Sequence, residues 1–222
     1  MTPRGPKYVR LDIDKAALLI VDHQIGLLQL VRDYSPEEFR NNVFAHAALG
    51  KAFGLPTVIT TSTETGPNGP VPQEILDLHP EVTVVSRSGE INAWDSPEFR
   101  AAIRATGKTQ FIIAGIVTDV CTAFLALSLA EEGYEVFAND DASGAFNKRI
   151  ADAANDRMRA AGIQVLSMFA IVGELARDWR KPIFSEVIPL LDKYIPSASW
   201  LFRSHAAAQA EAKAALPSGL AA

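Results

Sequence analysis

Six short apolar runs, separated by amphipathic stretches, constrain the fold of this chain more than any other feature. They are AALLIVD (16–22), PTVITTS (56–62), VTVVSR (82–87), QFIIAGI (110–116), YEVFAND (134–140) and IQVLSMF (163–169). Most are apolar at odd and even positions alike, the pattern of parallel strands covered on both faces. Helical patterns fill the intervals, at about 36–54, 73–79, 96–106, 120–132, 147–161 and 170–179. Local punctuation agrees: Asp95-Ser96-Pro97-Glu98 opens one helix with a cap, a first-turn proline and an acid. Gly133 and Gly162 close two others. Strands alternating with helices predict an α/β fold, a doubly wound, six-stranded and mainly parallel sheet with helices on both faces, in a Rossmann-like three-layer arrangement.

The repeating pattern ends near Arg180, so residues 1–180 are read as one domain and 181–222 as a C-terminal helical extension. The extension holds an amphipathic stretch, PIFSEVIPLLDKYI, then Trp200-Leu201-Phe202, then an Ala-rich helix former over 206–215. Its apolar face is expected to pack on the outside of the domain or on a neighbouring subunit, which points to a homo-oligomer. From Pro217 onward disorder is expected.

Composition narrows the function. A net charge of −5 with no dense basic cluster offers no footprint for a nucleic-acid backbone. No apolar run reaches the ~18 residues of a membrane span, and the first residues lack the apolar core of a signal peptide. Cys121 is the only cysteine, so no internal disulfide forms and a reducing, cytoplasmic location is the default expectation. TETGPNGP (63–70) has the Gly and Pro spacing of a rigid loop and lacks the nucleotide-binding GxxxxGK[ST] pattern. No cofactor is expected, and the partner is a small-molecule substrate.

In doubly wound sheets ligands bind beyond the carboxyl ends of the strands. That rule selects Asp22, Thr61 to Glu64, Arg87, Val117 to Cys121, Asp140 and Phe169 for inspection. The selection contains an acid, a guanidinium and the only thiol, each from a different strand. Thr118 or Asp119 is placed to cap the helical run that follows, which puts Cys121 in its first turn, where the helix dipole and free N–H groups favour a thiolate and lower the thiol pKa. The same N–H groups can hold an oxyanion. Asp22 is placed to take the thiol proton and return it to a leaving group. Arg87 stays charged, so its role is to hold Asp22 ionised or to fix a substrate carbonyl or carboxylate. On this reading alone, an inert buried cysteine and a structural ion pair stand equally open.

Taken together, LLIVDHQ, the arginine of SRSGEINAWDSPEF and GIVTDVCTAFLAL resemble the isochorismatase-like cysteine hydrolase family. TSTETGPNGP, INAWD, DDASGAFN and the late EL-RDWR resemble its YcaC-type branch. The similarity runs from about residue 8 to about 200. It implies a catalytic triad of Asp22, Arg87 and Cys121, with Arg87 departing from the lysine usual at that position, so that its role is electrostatic. It also implies a cis peptide between Ile116 and Val117, and an oxyanion hole formed by the N–H groups of Val117 and Cys121. Within the family, a retained cysteine points to hydrolysis of a C–N bond in an amide, imide or carbamoyl compound through a thioester. The alternatives are vinyl-ether hydrolysis of the isochorismatase type and a non-hydrolytic role for a redox-sensitive thiol in an oligomer.

The metal-binding residues of nicotinamidases find no counterpart here: no Asp-x-His with a second nearby His occurs in the loop after the second strand, and His23 alternates away from Asp22. No metal is expected. Gln24 shares the side of Asp22 and is a substrate-binding candidate or a cap for the next loop. Thr61, Glu64 and Asn92 are further substrate-binding candidates. Trp94 is either an aromatic wall of the pocket or core packing. His46, His79 and His205 are read as surface or internally satisfied histidines, and Met158 and Met168 as core.

Overall fold

The computed structural model describes residues 8–214; the tail from Pro217, expected to be disordered, lies outside them. Six strands form one sheet: β1 (Ala16–Val21), β2 (Thr57–Ser62), β3 (Val85–Arg87), β4 (Gln110–Gly115), β5 (Glu135–Asn139) and β6 (Gln164–Leu166). Their order is β3-β2-β1-β4-β5-β6 and every pairing is parallel, so the sheet is wholly rather than mainly parallel. The chain moves outward from β1 to β3, then returns to β4 on the other side of β1. The crevice where that order reverses lies between the carboxyl ends of β1 and β4.

Alternation along the strands feeds two separate cores. Ala16, Leu18 and Ile20 of β1, Ile112 of β4 and Phe137 of β5 join one cluster; Ala17, Leu19, Val21, Phe111, Ile113, Val136 and Ala138 join the other. Helices α2 (Pro36–Phe53), α3 (Gln73–Leu78) and α7 (Met168–Ala176) cover the first face. Helices α4 (Pro97–Ala105), α5 (Ala123–Glu131) and α6 (Lys148–Ala160) cover the second. A short α1 (Ile25–Leu28), without a sequence signal of its own, follows β1 directly.

The expected punctuation is present. Ser96 caps α4 by accepting from the Phe99 N–H at 3.2 Å, with Pro97 in the first turn. Gly133 and Gly162 adopt φ of +88° and +85° just past their helices. The last apolar run divides differently from its reading as a strand through Phe169. Strand β6 stops at Leu166, and Ser167 accepts from the Ala170 N–H to start α7, so Phe169 lies on a helix and is about half exposed. The third run contributes only Val85–Arg87 as strand. Beyond α7, the amphipathic stretch forms α8 (Phe184–Tyr194), which packs on α2 and adds Val187, Leu190 and Leu191 to the first core. The final α9 (Pro196–Ala214) leaves Trp200 and Leu201 exposed.

Two buried histidines lock the first helical layer, His46 to the sheet and His79, at the end of α3, to α2. His46 Nε2 donates to the Leu19 carbonyl at 3.0 Å, and its Nδ1 accepts from Asn139 Nδ2 at 3.1 Å. His79 Nε2 bonds to the Ala47 carbonyl at 2.8 Å. Burial lowers the pKa of His46 to about 3, so it is neutral in the native protein.

The β1–β4 contact needs a glycine. A Cβ built on Gly115 would lie 2.5 Å from the Val21 carbonyl oxygen, 2.9 Å from Val21 Cβ and 3.1 Å from Thr122 Oγ1. Gly115→Ala is expected to destabilise by about 1–3 kcal/mol, as overpacking does, read as a lowered urea midpoint at unchanged m. A second expectation concerns acid. Because His46 binds its proton less readily folded (about 3) than unfolded (6.5), it opposes folding increasingly as pH falls below 6.5. Over pH 6.5 to 4, His46→Gln should flatten the pH dependence of unfolding free energy by up to about 1.4 kcal/mol per pH unit, measured by urea titrations.

Candidate active site

Asp22 follows the last residue of β1 with a φ of +53°, a left-handed conformation uncommon for a non-glycine residue. Its N–H donates to the Thr60 carbonyl at 2.9 Å. The carboxylate is fully buried and forms an ion pair through Oδ1 with Arg87 Nη2, itself without exposed side-chain area. The guanidinium is held at two more points: Nε donates to Thr60 Oγ1 at 3.0 Å, and Nη1 donates to the Glu90 carbonyl. Thr60 Oγ1 in turn donates to the Val85 carbonyl at 2.8 Å. Residues from three adjacent strands thus converge on one buried charge pair, and Arg87 is committed to Asp22 and its supports.

The other carboxylate oxygen, Oδ2, is buried without a hydrogen-bond partner among the described residues. The Cys121 thiol lies close enough to share a hydrogen bond with the Asp22 carboxyl. Burial raises the Asp22 pKa above the ordinary carboxylate value, with the charge and hydrogen bond of Arg87 and then the thiol pulling it back.

The local helix differs from the sequence expectation. Residues Thr118–Thr122 form a π-helical turn that precedes α5, and its N-cap is Val117, with no side-chain cap from Thr118 or Asp119. The Thr118 N–H donates to the Gly144 carbonyl at 2.9 Å, and the peptide bond Ile116–Val117 is cis. The Val117 N–H lies near enough to the Cys121 sulfur to favour its thiolate. Cys121 is partly exposed, unlike the fully buried Thr122 beside it. The expected lowering of the thiol pKa is overturned: burial first, then the charge and hydrogen bond of Asp22, push it up to about 12. Arg87 and the Val117 N–H act in the opposite sense and lose. The thiol is therefore protonated at neutral pH, with a carboxylate beside it to receive the proton.

The remaining candidates divide. Gln24 is fully buried, and its amide is spent on the end of β2 and on loop 63–70. Its Nε2 donates to the carbonyls of Ser62 (3.0 Å) and Gly69 (2.5 Å), and its Oε1 accepts from the Ser62 N–H (2.8 Å). Thr61 points from the opposite face of β2 to Thr60 and reaches Ser86 Oγ at 3.5 Å. Glu64 accepts from Ser86 Oγ at 2.9 Å on the exposed rim. Asn92 caps a 3-10 turn by accepting from the Trp94 N–H (3.1 Å) and donates to Ser128 of α5 (2.9 Å). Trp94 belongs to the second core, edge-on to Tyr134 at 6.3 Å. His23 is buried, donates from Nε2 to the Ala142 carbonyl at 2.8 Å, and has its pKa lowered to about 4 by burial. Among the described residues no group of three or more His, Cys, Asp or Glu is arranged to hold a metal ion. Thr60 was missed by the sequence reading. Its signal lay in the alternation that puts Thr60 and Thr61 on opposite faces of one strand.

Comparison with known proteins places this geometry. Residues 16–169 match the model of the isochorismatase domain. A curated protein of Escherichia coli, "Probable hydrolase YcaC", is 50% identical over 198 residues, covering 89% of this chain and 95% of its own. The E. coli YcaC crystal structure, described as an octameric hydrolase of unknown specificity, superposes with a TM-score of 0.87 at 50% identity, over 90% of this chain and 98% of its own. YcaC from Pseudomonas aeruginosa, solved with hexane-2,5-diol and covalent acrylamide, gives the same TM-score, identity and coverage.

Asp22→Asn removes two of the three influences that raise the thiol pKa. The pH midpoint for alkylation of Cys121 by iodoacetamide should fall in this variant, followed by intact mass; a midpoint that stays put or rises would contradict the geometry.

Proposed function

Because this chain belongs to the isochorismatase family, we propose that this hydrolase cleaves a C–N bond of a small amide, imide or carbamoyl compound through a thioester on Cys121. One observation carries the reading: the only thiol of the chain is partly exposed beside a buried carboxylate oxygen that has no other partner among the described residues. In this reaction Asp22 Oδ2 takes the thiol proton as sulfur attacks the carbonyl carbon. The N–H groups of Val117 and Cys121 receive the oxyanion. The C–N bond then breaks, and Asp22 returns the proton to the departing nitrogen. Water, deprotonated by Asp22, attacks the thioester; the sulfur leaves and recovers the proton.

Arg87 is a positioning residue in this scheme. Its guanidinium is buried and occupied at Nε, Nη1 and Nη2, so it orients Asp22 rather than the substrate. Gln24 acts at one remove, by fixing loop 63–70 beside the strand ends. Thr61, Glu64, Asn92 and Trp94 border this end of the sheet, and their contribution to binding is through the shape of the surrounding loops. The covalent acrylamide in the P. aeruginosa relative supports an electrophile-accepting site, and the octamer of the E. coli relative supports assembly of this chain into a homo-oligomer.

The test is intact-mass spectrometry after exposure to a panel of amides, imides and carbamoyl compounds. A covalent acyl adduct on Cys121 is expected with the substrate class. Cys121→Ala should lose both the adduct and hydrolysis, and Asp22→Asn should lose at least about 100-fold in hydrolysis while its thiol still accepts iodoacetamide. Hydrolysis that survives Cys121→Ala would end the proposal.

A further inference from the structure

The loops that surround the thiol carry charge of one sign. They are residues 22–24, 63–72, 88–96, 116–122 and 140–147, which leave the carboxyl ends of β1 to β5. None contains a lysine or an arginine, whereas Glu64, Glu90, Asp95, Asp119, Asp140 and Asp141 all lie within them, in addition to Asp22. Two of these acids are tied closely to the reacting groups. Asp119 shares the π-helical turn with Cys121, and its Oδ1 is buried without a hydrogen-bond partner among the described residues. Glu90 offers its main-chain carbonyl to Arg87, which places this residue next to the ion pair, while its carboxylate accepts from the Gly89 N–H at 3.1 Å.

The nearby cations do not compensate. Arg87 is buried and its one full charge is matched by Asp22. Lys148, at the start of α6, is paired with Asp152 at 2.7 Å. Arg32 and Arg100, which lie outside these loops, each direct a guanidinium nitrogen to a main-chain carbonyl, of Val31 and of Trp94 respectively. The side chains that accompany the acids at these strand ends are apolar and exposed: Ile25, Ile91 and Phe146. A carboxylate approaching Cys121 would meet Asp119 in the same turn and Glu90 beside the ion pair, and none of these strand-end loops supplies a lysine or an arginine to receive it. The partnerless carboxylate oxygens of the site among the described residues, Asp22 Oδ2 and Asp119 Oδ1, can only accept a hydrogen bond when ionised. Such a surrounding suits a molecule that brings N–H donors and no negative charge.

We infer that the substrate of this site is an uncharged or cationic N–H-bearing compound, and that carboxylate-bearing amides and carbamoyl acids are excluded by the acidic strand-end loops. The inference rests on the reading of Cys121 as an accessible nucleophile. It goes further by naming the charge class of what that nucleophile meets.

Two near-isosteric alkylating agents separate the two claims, because the chain has one thiol and each adduct reports on it alone. Native protein is treated with iodoacetamide or iodoacetate at low ionic strength and equal pH, and the urea-unfolded protein supplies the intrinsic ratio of the two rates. The neutral reagent should be favoured about tenfold or more beyond that intrinsic ratio, as expected for a full charge repelled by roughly 1.4 kcal/mol. Added KCl should narrow the gap by speeding iodoacetate alone. Asp119→Asn and Glu90→Gln should each raise the iodoacetate rate by a larger factor than the iodoacetamide rate, so that the ratio of the two moves toward its unfolded value. A native ratio equal to the unfolded one, or iodoacetate favoured, would overturn the charge class while leaving the nucleophile in place. Inertness of Cys121 toward both reagents would overturn the nucleophile, and the substrate class with it.

Discussion

The buried pair of Asp22 and Arg87 is the constraint to which the rest of the site conforms. Isolated charges with no exposed side-chain area are prohibitively costly, and such a pair is kept by mutual attraction and further hydrogen bonds. Here Thr60 and the Glu90 carbonyl provide those bonds on the guanidinium side. That arrangement requires the ends of β1, β2 and β3 to stay in register, and the pairings Val21↔Thr60 and Ser62↔Arg87 supply it. An arginine suits the place because its planar fork reaches three acceptors at once, which a lysine ammonium at the end of a flexible stem does less rigidly. The pair leaves one carboxylate oxygen without a hydrogen-bond partner among the described residues, beside the Cys121 thiol.

Much of the fold was legible because its strands are buried on both faces. Runs such as AALLIVD and QFIIAGI have no other stable use in a chain of this kind, and their alternation maps residue by residue onto the two cores. The convergence of Asp22, Arg87 and Cys121 was legible for a related reason: Asp22 and Arg87 end apolar runs, Cys121 lies in the turn after one, and parallel strands deliver all their carboxyl ends to one edge. The boundaries were less legible. Phe169 reads as strand by hydrophobicity, but the Ser167 side chain captures the Ala170 N–H and starts a helix two residues earlier. Gln24 reads as a pocket residue by alternation, yet nothing in the local sequence reveals that Ser62 and Gly69 return to claim its amide.

The thiol pKa was illegible for a deeper reason. A helix start lowers a thiol pKa when its N–H groups are free and solvent is near. Here the first turn is π-helical, the Thr118 N–H is already taken by Gly144, and the dominant influences are burial and a carboxylate contributed from another strand. None of these is a property of the segment around Cys121. The sign of the shift is set by tertiary structure, and only the position of the cysteine is set locally.

A raised thiol pKa is consistent with the proposed reaction once the proton has somewhere to go. A thiolate of low pKa is abundant but intrinsically a weaker nucleophile, whereas one of high pKa is scarce and strong. Placing Asp22 against the thiol removes the need for a standing thiolate, because the proton can leave as the C–S bond forms. The same burial that raises the Asp22 pKa then helps the later step, since a carboxyl that holds a proton readily can hand it to the departing nitrogen. A more acidic aspartate would accept the thiol proton poorly, and a freely hydrated one would share it with water. Arg87 sets the balance between these limits: it tempers the effect of burial on Asp22 without ever competing for the proton.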